Sequence, residues 1–376
     1  MKPNNPFLVT GYHSPEYFCD RRQETETMIQ ALYNGRNVTL IAPRRMGKTG
    51  LVKNVFYKLH EQEPDIVTFY MDIYSTQSLG DFIRLFASTV LGRLDSVPQK
   101  ALGRVGKFIK SCRPVFTFDE LTGQPKVTID IVPSSEEATL REIFDYLRSS
   151  EKRCYIAIDE FQQIAEFKDS KTFQKRLRSI WQLQKSVSYC LFGSKKHLMN
   201  ELFEKKSLPF YKFGDAIYLS KIETRDWIDY ICRRFEATGK RISEKLAEKI
   251  CQIVDNHSSY VQQLAWLVWI HTDKIATEQD FETAYQDIID QNTPLFEKQT
   301  ESLTTYQMNF LRAIIDGVHS EFTTQEILHK YQLGSSANVS IVKRALVKKE
   351  LIEIEKRQVI IPDPVMAVWL KRELRM

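Results

Sequence analysis

The sequence is poor in the marks of several protein classes. Its six cysteines (Cys19, Cys112, Cys154, Cys190, Cys232 and Cys251) never stand at CxxC spacing, so neither a zinc site nor a disulfide framework is suggested. The opening stretch MKPNNPFLVTGYHSPEYF lacks the apolar core of a signal peptide, and no apolar run approaches the roughly 20 residues of a membrane span. A reducing, cytoplasmic setting is therefore expected. Neither charge sign dominates: 53 Lys and Arg against 48 Asp and Glu leave a formal net charge of +5, which tolerates an acidic partner without requiring one. What is present is ordinary for a soluble globular chain. The 376 residues suit two or three domains, and 43% hydrophobic with 27% charged residues allows a sizeable core.

The informative stretch is NVTLIAPRRMGKTGLVKNVF, residues 37–56. Val38 to Ile41 reads as a short buried strand, and from Leu51 the apolar residues Val52, Val55, Phe56 and Leu59 recur at helical spacing. Between them, APRRMGKT matches the phosphate-binding pattern G-x-x-x-x-G-K-[ST] except at its first position, where Ala42 stands. Gly47 lets successive backbone N–H groups face an anion, and the following helix offers the positive end of its dipole. Lys48 would reach the β- and γ-phosphates, and the Thr49 hydroxyl would ligate Mg²⁺. Pro43, Arg44, Arg45, Met46, Gly47, Lys48, Thr49 and Gly50 are thus the candidate cradle for a nucleoside triphosphate. The competing reading is a basic turn between strand and helix.

A phosphate loop calls for a second, acidic strand. RCYIAIDEFQQI supplies a buried run, Tyr155 to Ile158, ending in Asp159 and Glu160. Asp159 would hold Mg²⁺ and Glu160 would polarise an attacking water. A further strand, Val187 to Ser194, brings Ser194 to the same edge, either to contact the γ-phosphate or the water, or as a plain Gly-Ser turn. One more strand lies within DIVTFYMDIY, residues 65–74. A β-hairpin at about 113–132 sets Val115, Phe116 and Phe118 against Val127, Ile129 and Ile131 around LTGQP, and reads as decoration on the core or, alternatively, as a partner surface.

These motifs resemble the AAA+-related ATPases of the archaeal-type family, close to the signal-transducing STAND NTPases. PRRMGKTGL is similar to that group's P-R-R-x-G-K-T-[ST]-L, and YFCDRRQE to its upstream F-x-x-R-x-x-E segment. NHSSYVQQL resembles its G-H-P-Y-x-x-Q element, and VIIPDPVMAVWL its closing strand and D-P-x-x-x-x-W-L helix. The resemblance implies that Phe18 and Arg21 lie near an adenine, and that His257, Tyr260 and Gln262 open a lid helix, with His257 sensing the nucleotide. Asn256 and Ser258 stand where the family has Gly and Pro. Adenine rather than guanine follows from the resemblance, since no N-K-x-D motif occurs. From Ser179 to Thr224 there is no arginine, although related ATPases often place an arginine finger there. Lys205, Lys206 and Lys212 cannot give its planar bidentate contact, so slow hydrolysis is expected unless Arg176, Arg178 or a partner serves.

The expected fold is an α/β P-loop NTPase with an AAA+-like parallel sheet (1–222), a helical lid (223–300) and a winged helix-turn-helix domain (301–376). In the last part, Gly317 stops one helix and TTQEIL opens a second, with Thr323 and Glu326 at capping-box spacing. A third helix carries Asn338, Lys343, Arg344, Lys348 and Lys349, and a hairpin tip carries Lys356 and Arg357, side chains suited to phosphate contacts on duplex DNA. The same surface also suits protein contact. KTFQKRLRSIWQLQKS (171–186) reads as an exposed basic helix with Phe173, Leu177, Ile180 and Trp181 facing inward. Three functions remain open: an ATP-driven switch with slow hydrolysis, able to act as a homo-oligomer; a DNA-bound ATPase; and a winged-helix regulator with a vestigial site.

Overall fold

The computed structural model describes residues 5–9, 11–94, 98–118, 125–150 and 152–374. The chain divides into two compact units, Gly11–Ser220 and Met1–Thr10 with Lys221–Met376.

The unit Gly11–Ser220 contains, in chain order, α1 (Arg22–Tyr33), β1 (Val38–Ile41), α2 (Lys48–Gln62), β2 (Val67–Asp72), α3 (Leu79–Val90) and α4 (Pro98–Phe108). Then come β3 (Arg113–Phe118), β4 (Pro125–Asp130), α5 (Glu136–Arg148), β5 (Cys154–Asp159), α6 (Ser170–Trp181), β6 (Val187–Gly193), α7 (Lys196–Glu204) and β7 (Asp215–Tyr218). Five strands form one parallel sheet in the order β2-β5-β6-β1-β7. Every residue of β1, β5 and β6 is buried, because helices cover both faces of the sheet. Alternation divides the two cores. Tyr155 and Ala157 face Met28, Leu32, Leu51 and Val55 of α1 and α2, while Ile156 and Ile158 join Phe82, Phe86, Phe144 and Trp181 of α3, α5 and α6.

The register places the functional edge. Asp72 pairs with Asp159, Ile41 with Gly193 and Ile41 with Tyr218, so the carboxyl ends of the strands finish together. The β3–β4 hairpin is antiparallel, with Val127 and Ile129 buried in the core and Val115 and Phe116 exposed. Most of its expected turn, residues 121–124, lies outside the described residues. On α6, Phe173, Leu177 and Trp181 are buried and Ile180 packs partly against the core, as the pattern predicts.

The other unit carries α8 (Thr224–Glu236), α9 (Glu244–Ile253), α10 (Ser258–His271), α11 (Glu278–Glu301), α12 (Thr305–Ile315), α13 (Gln325–Lys330) and α14 (Ser336–Lys348). It ends in an antiparallel pair, β8 (Glu353–Glu355) and β9 (Gln358–Ile360), and α15 (Pro364–Glu373). Capping boxes at Thr277 and Thr304 start α11 and α12, and Gly317 follows α12 at φ +97°. The expected box at Thr323 does not form. The cap of α13 is Thr324, with no side-chain cap bond, because the helix starts one residue later than the spacing suggests. Among the described residues no helix is long and apolar enough to cross a membrane.

The amino-terminal segment belongs to this second unit. Phe7 is fully buried, with its ring 6.1 Å from Tyr230 and 5.8 Å from Phe235, and Arg234 Nε donates to the Pro6 carbonyl at 2.8 Å. The closing helix is also anchored there, by Tyr260 donating to Asp363 Oδ2 at 2.7 Å and by Trp369 against Phe296.

Candidate nucleotide site

The loop after β1 is built to turn. Gly47 caps α2 in the left-handed region at φ +86°, and Arg45 is also left-handed at φ +59°. Ala42 is not among the residues with positive φ, so a glycine is not needed at that first position of the motif. Ala42 and Met46 are buried, whereas Arg44, Arg45 and Gly47 are exposed. The Lys48 side chain is buried and crosses the loop, donating from Nζ to the Ala42 and Pro43 carbonyls at 3.0 and 2.6 Å.

The sheet delivers the acidic side. Thr49 Oγ1 donates to Asp159 Oδ2 at 3.0 Å, although 110 residues separate them. Tyr70 of β2 donates to the same oxygen at 2.8 Å, and the Glu160 amide donates to Oδ1 at 2.8 Å. Burial pushes the Asp159 carboxyl above its ordinary value, and these three donors pull it back. Burial beside Asp159 also pushes the Tyr70 phenol well up. Tyr70 is a candidate site residue that periodicity could not reveal, since nothing in a half-buried edge strand marks which hydroxyl will meet a carboxylate 89 residues away.

Glu160 leaves the strand in the left-handed region at φ +53°, which turns its side chain away from the pleat. Its Oε2 accepts from Ser194 Oγ at 2.9 Å and from Gln162 Nε2. Ser194 Oγ in turn accepts from Arg44 Nε at 3.3 Å. The structure thus brings Lys48, Thr49, Asp159, Glu160 and Ser194 to one edge, and it adds Tyr70 and Gln162. The donor set fits Mg²⁺: Thr49 and Asp159 offer hard oxygens, and this ion keeps waters and phosphate oxygens rather than a cage of side chains. Among the described residues there is indeed no cluster of three or more His, Cys, Asp or Glu suited to a metal.

The upstream segment reaches the same loop. Arg21 is 2% exposed and left-handed at φ +61°; it pairs with Glu24 at 2.8 Å and reaches the Met46 carbonyl at 3.4 Å. Phe18 lies over the start of α2, where a Cβ on Gly50 would meet its ring at 3.3 Å. Of the two candidate arginines on α6, Arg178 is committed within its own unit: Nη1 donates to the carbonyls of Pro209 and Tyr211. Arg176 pairs with Glu137 at 3.3 Å on the surface. Lys205 pairs with Glu201, and Lys212 lies over the Tyr211 ring.

Residues 32–200 match the family model described as an AAA domain, and residues 294–372 match a probable winged helix domain. The chain carries an AAA domain and a C-terminal winged helix domain, and at the level of that family it is a P-loop ATPase. Nucleotide binding, with Mg²⁺ as the usual companion, goes with the AAA family. No curated protein matches it by sequence. Among solved structures it is similar to a Walker-type ATPase of Pyrococcus abyssi, with 17% identity, a TM-score of 0.69, and 97% of this chain and 99% of that one covered. It is also similar to the ORC2 protein of Aeropyrum pernix in ADPNP–ADP complexes (13% identity, TM-score 0.61, 98% of each chain). The ORC1 protein of the same organism in complex with DNA gives 12% identity, a TM-score of 0.54, and 100% and 98% coverage. At these identities the likeness is one of fold.

In the second unit of this AAA-type ATPase, His257 caps α10 with its ring 4.9 Å from Tyr260. Asp255 and Asn256 before it are both left-handed, at φ +50° and +53°. Asn is one of the few residues that tolerate this region, which accounts for Asn256 where the family has Gly. On α14 the side chains of Ser340, Ile341, Arg344 and Lys348 form an exposed face, with Ile341 58% exposed. Lys343 is half-buried, Lys349 donates to Ser302, and the Asn338 amide is spent on the Leu333 carbonyl at 2.8 Å. Lys356 and Arg357 form the exposed tip between β8 and β9.

Proposed function

We propose that this protein is a nucleotide-controlled switch that binds ATP at the P-loop and hydrolyses its β–γ bond slowly. The observation that carries the reading is the Thr49–Asp159 hydrogen bond at 3.0 Å, with Glu160 and Ser194 joined beside it. When bound, Mg²⁺ would neutralise charge on the β- and γ-phosphates, held through Thr49 and Asp159. Lys48 stabilises the transferring phosphoryl group. Glu160 orients a water whose oxygen attacks the γ-phosphorus, and it accepts the water's proton; the bond to the β–γ bridging oxygen breaks, releasing ADP and phosphate. Slowness follows from the missing finger: such an arginine is worth about 10³- to 10⁵-fold. Arg178 is engaged with two carbonyls, and no other arginine lies between Ser179 and Thr224.

The test is steady-state ATP turnover with and without duplex DNA. Lys48→Ala should abolish nucleotide binding, and Glu160→Gln should bind ATP while losing about 10²-fold or more in turnover. Normal turnover in both variants would sink the assignment, and wild-type turnover above about 10 per second, the median for enzymes, would refute the slow reading.

The wing supports a second reading, a DNA-coupled ATPase. Arg344 and Lys348 share an exposed face and Lys356 with Arg357 form an exposed tip, on a fold also seen in a protein solved with DNA. Binding to duplex DNA that weakens steeply with salt, together with turnover stimulated by DNA, would favour it over the switch.

A further inference from the structure

The Glu160 carboxylate is held through one oxygen only. Both side-chain donors that reach it, Gln162 Nε2 and Ser194 Oγ, bind Oε2. Among the described residues its Oε1 accepts no hydrogen bond. An ionised carboxylate can only accept, so Gln162 must present its Nε2 to Glu160. That choice sends the amide oxygen of Gln162 toward β6, where it is buried without a donor in a side chain 1% exposed.

The neighbouring strand is cut away to admit this side chain. A Cβ on Gly193 would lie 1.8 Å from Gln162 Oε1 and 2.9 Å from its Cδ. Gly193 is not among the glycines with positive φ, so its missing side chain answers to space and not to backbone conformation. The turn that carries Gln162 is pinned on both sides, since Phe161 and Ile164 are fully buried. Phe161 packs among Trp181, Phe203 and Phe210.

We propose that Gln162 is a positioning residue: with Ser194 it clamps Oε2 of Glu160 and leaves Oε1 to accept from the attacking water. Gly193 supplies the space that the clamp needs. The inference rests on Glu160 acting as the group that orients water, as proposed above. Rigid placement of such a group matters because a misplacement of about 1 Å can cost on the order of 10²-fold in rate.

Gln162→Met keeps the volume and removes the amide donor, leaving Ser194 as the one side-chain donor to Glu160. Its kcat should fall about 10- to 100-fold, while KM, ATP affinity and thermal midpoint stay at wild-type values. Gly193→Ala should lose stability and turnover together, and adding Gln162→Ala to it should restore the midpoint but not kcat. Should Gln162→Met fail to fold, Gln162→Leu, which likewise lacks a donor and adds no charge, carries the test through lower kcat at unchanged ATP affinity. Wild-type kcat in Gln162→Met beside an inactive Glu160→Gln overturns the clamp alone. Wild-type turnover in Glu160→Gln overturns the role of Glu160, and the clamp with it.

Discussion

Asp159 carries a conflict between stability and its proposed role. It is 7% exposed, and burial raises its carboxyl above the ordinary value despite hydrogen bonds from Tyr70, the Glu160 amide and Thr49. The folded unit therefore binds this proton more tightly than the unfolded chain does. Stability from this group is fully present below the unfolded value and falls as pH rises through the folded one. At neutral pH the ionised carboxylate is a net cost that metal binding would relieve. Asp159→Asn keeps an acceptor for Tyr70 and Thr49 and removes the charge. Without nucleotide it should raise the thermal midpoint by about 2–4 °C, the change expected for roughly 1 kcal/mol in a unit of this size. It should also lose Mg²⁺-dependent protection by ATP. A midpoint at or below wild type would show that the three donors already offset the burial. At this scale Lys48, Thr49, Asp159 and Glu160 were legible because each follows a buried strand at a fixed local spacing. Tyr70 and Gln162 were not, since their roles depend on which strands become neighbours and which oxygen is left to accept.

Among the elements, the wing is the one whose backbone and chemistry disagree. Its two tip residues, Lys356 and Arg357, are both left-handed at φ +47° and +72°. Two-residue hairpins of this kind favour Asn-Gly, and a bulkier L-residue there costs on the order of 1 kcal/mol. Two strained cations at an exposed tip are what a phosphate contact would retain. Lys356→Asn with Arg357→Gly should stabilise the hairpin by about 1 kcal/mol or slightly more. Under the DNA reading it should also weaken duplex binding and flatten the plot of log affinity against log salt by about two phosphates' worth. Unchanged affinity and slope would leave the wing without a phosphate contact. The helices and hairpin of this region were visible as periodicity and turn residues, but the cap of α13 was not: two adjacent threonines offer equal chemistry, and backbone geometry chose Thr324. The strand order β2-β5-β6-β1-β7 was likewise beyond local pattern, because it is set by which apolar faces helices cover.

At the scale of the whole chain, one unit is discontinuous in sequence. Residues near the amino terminus pack with Lys221–Met376, while Gly11–Ser220 forms the P-loop unit between them. No periodicity marks a segment this short as core; Phe7 becomes core only because Tyr230 and Phe235 meet its ring, and Arg234 holds the neighbouring Pro6 carbonyl, across more than 220 residues of sequence. A fully buried phenylalanine replaced by alanine costs about 3–5 kcal/mol. Phe7→Ala should therefore destabilise the unit that contains the winged helix, although Phe7 lies far from it in sequence. Four of the five tryptophans, Trp227, Trp266, Trp269 and Trp369, lie in that unit, so tryptophan emission reports on it. Its urea transition should move down by about 1–5 M, given slopes of roughly 1–3 kcal/mol per M. ATP affinity should stay at the wild-type value, because every contact described around the P-loop is made by residues of Gly11–Ser220. An unmoved transition would mean that the buried ring contributes little, and a loss of ATP affinity would mean that the P-loop unit depends on the other for its shape.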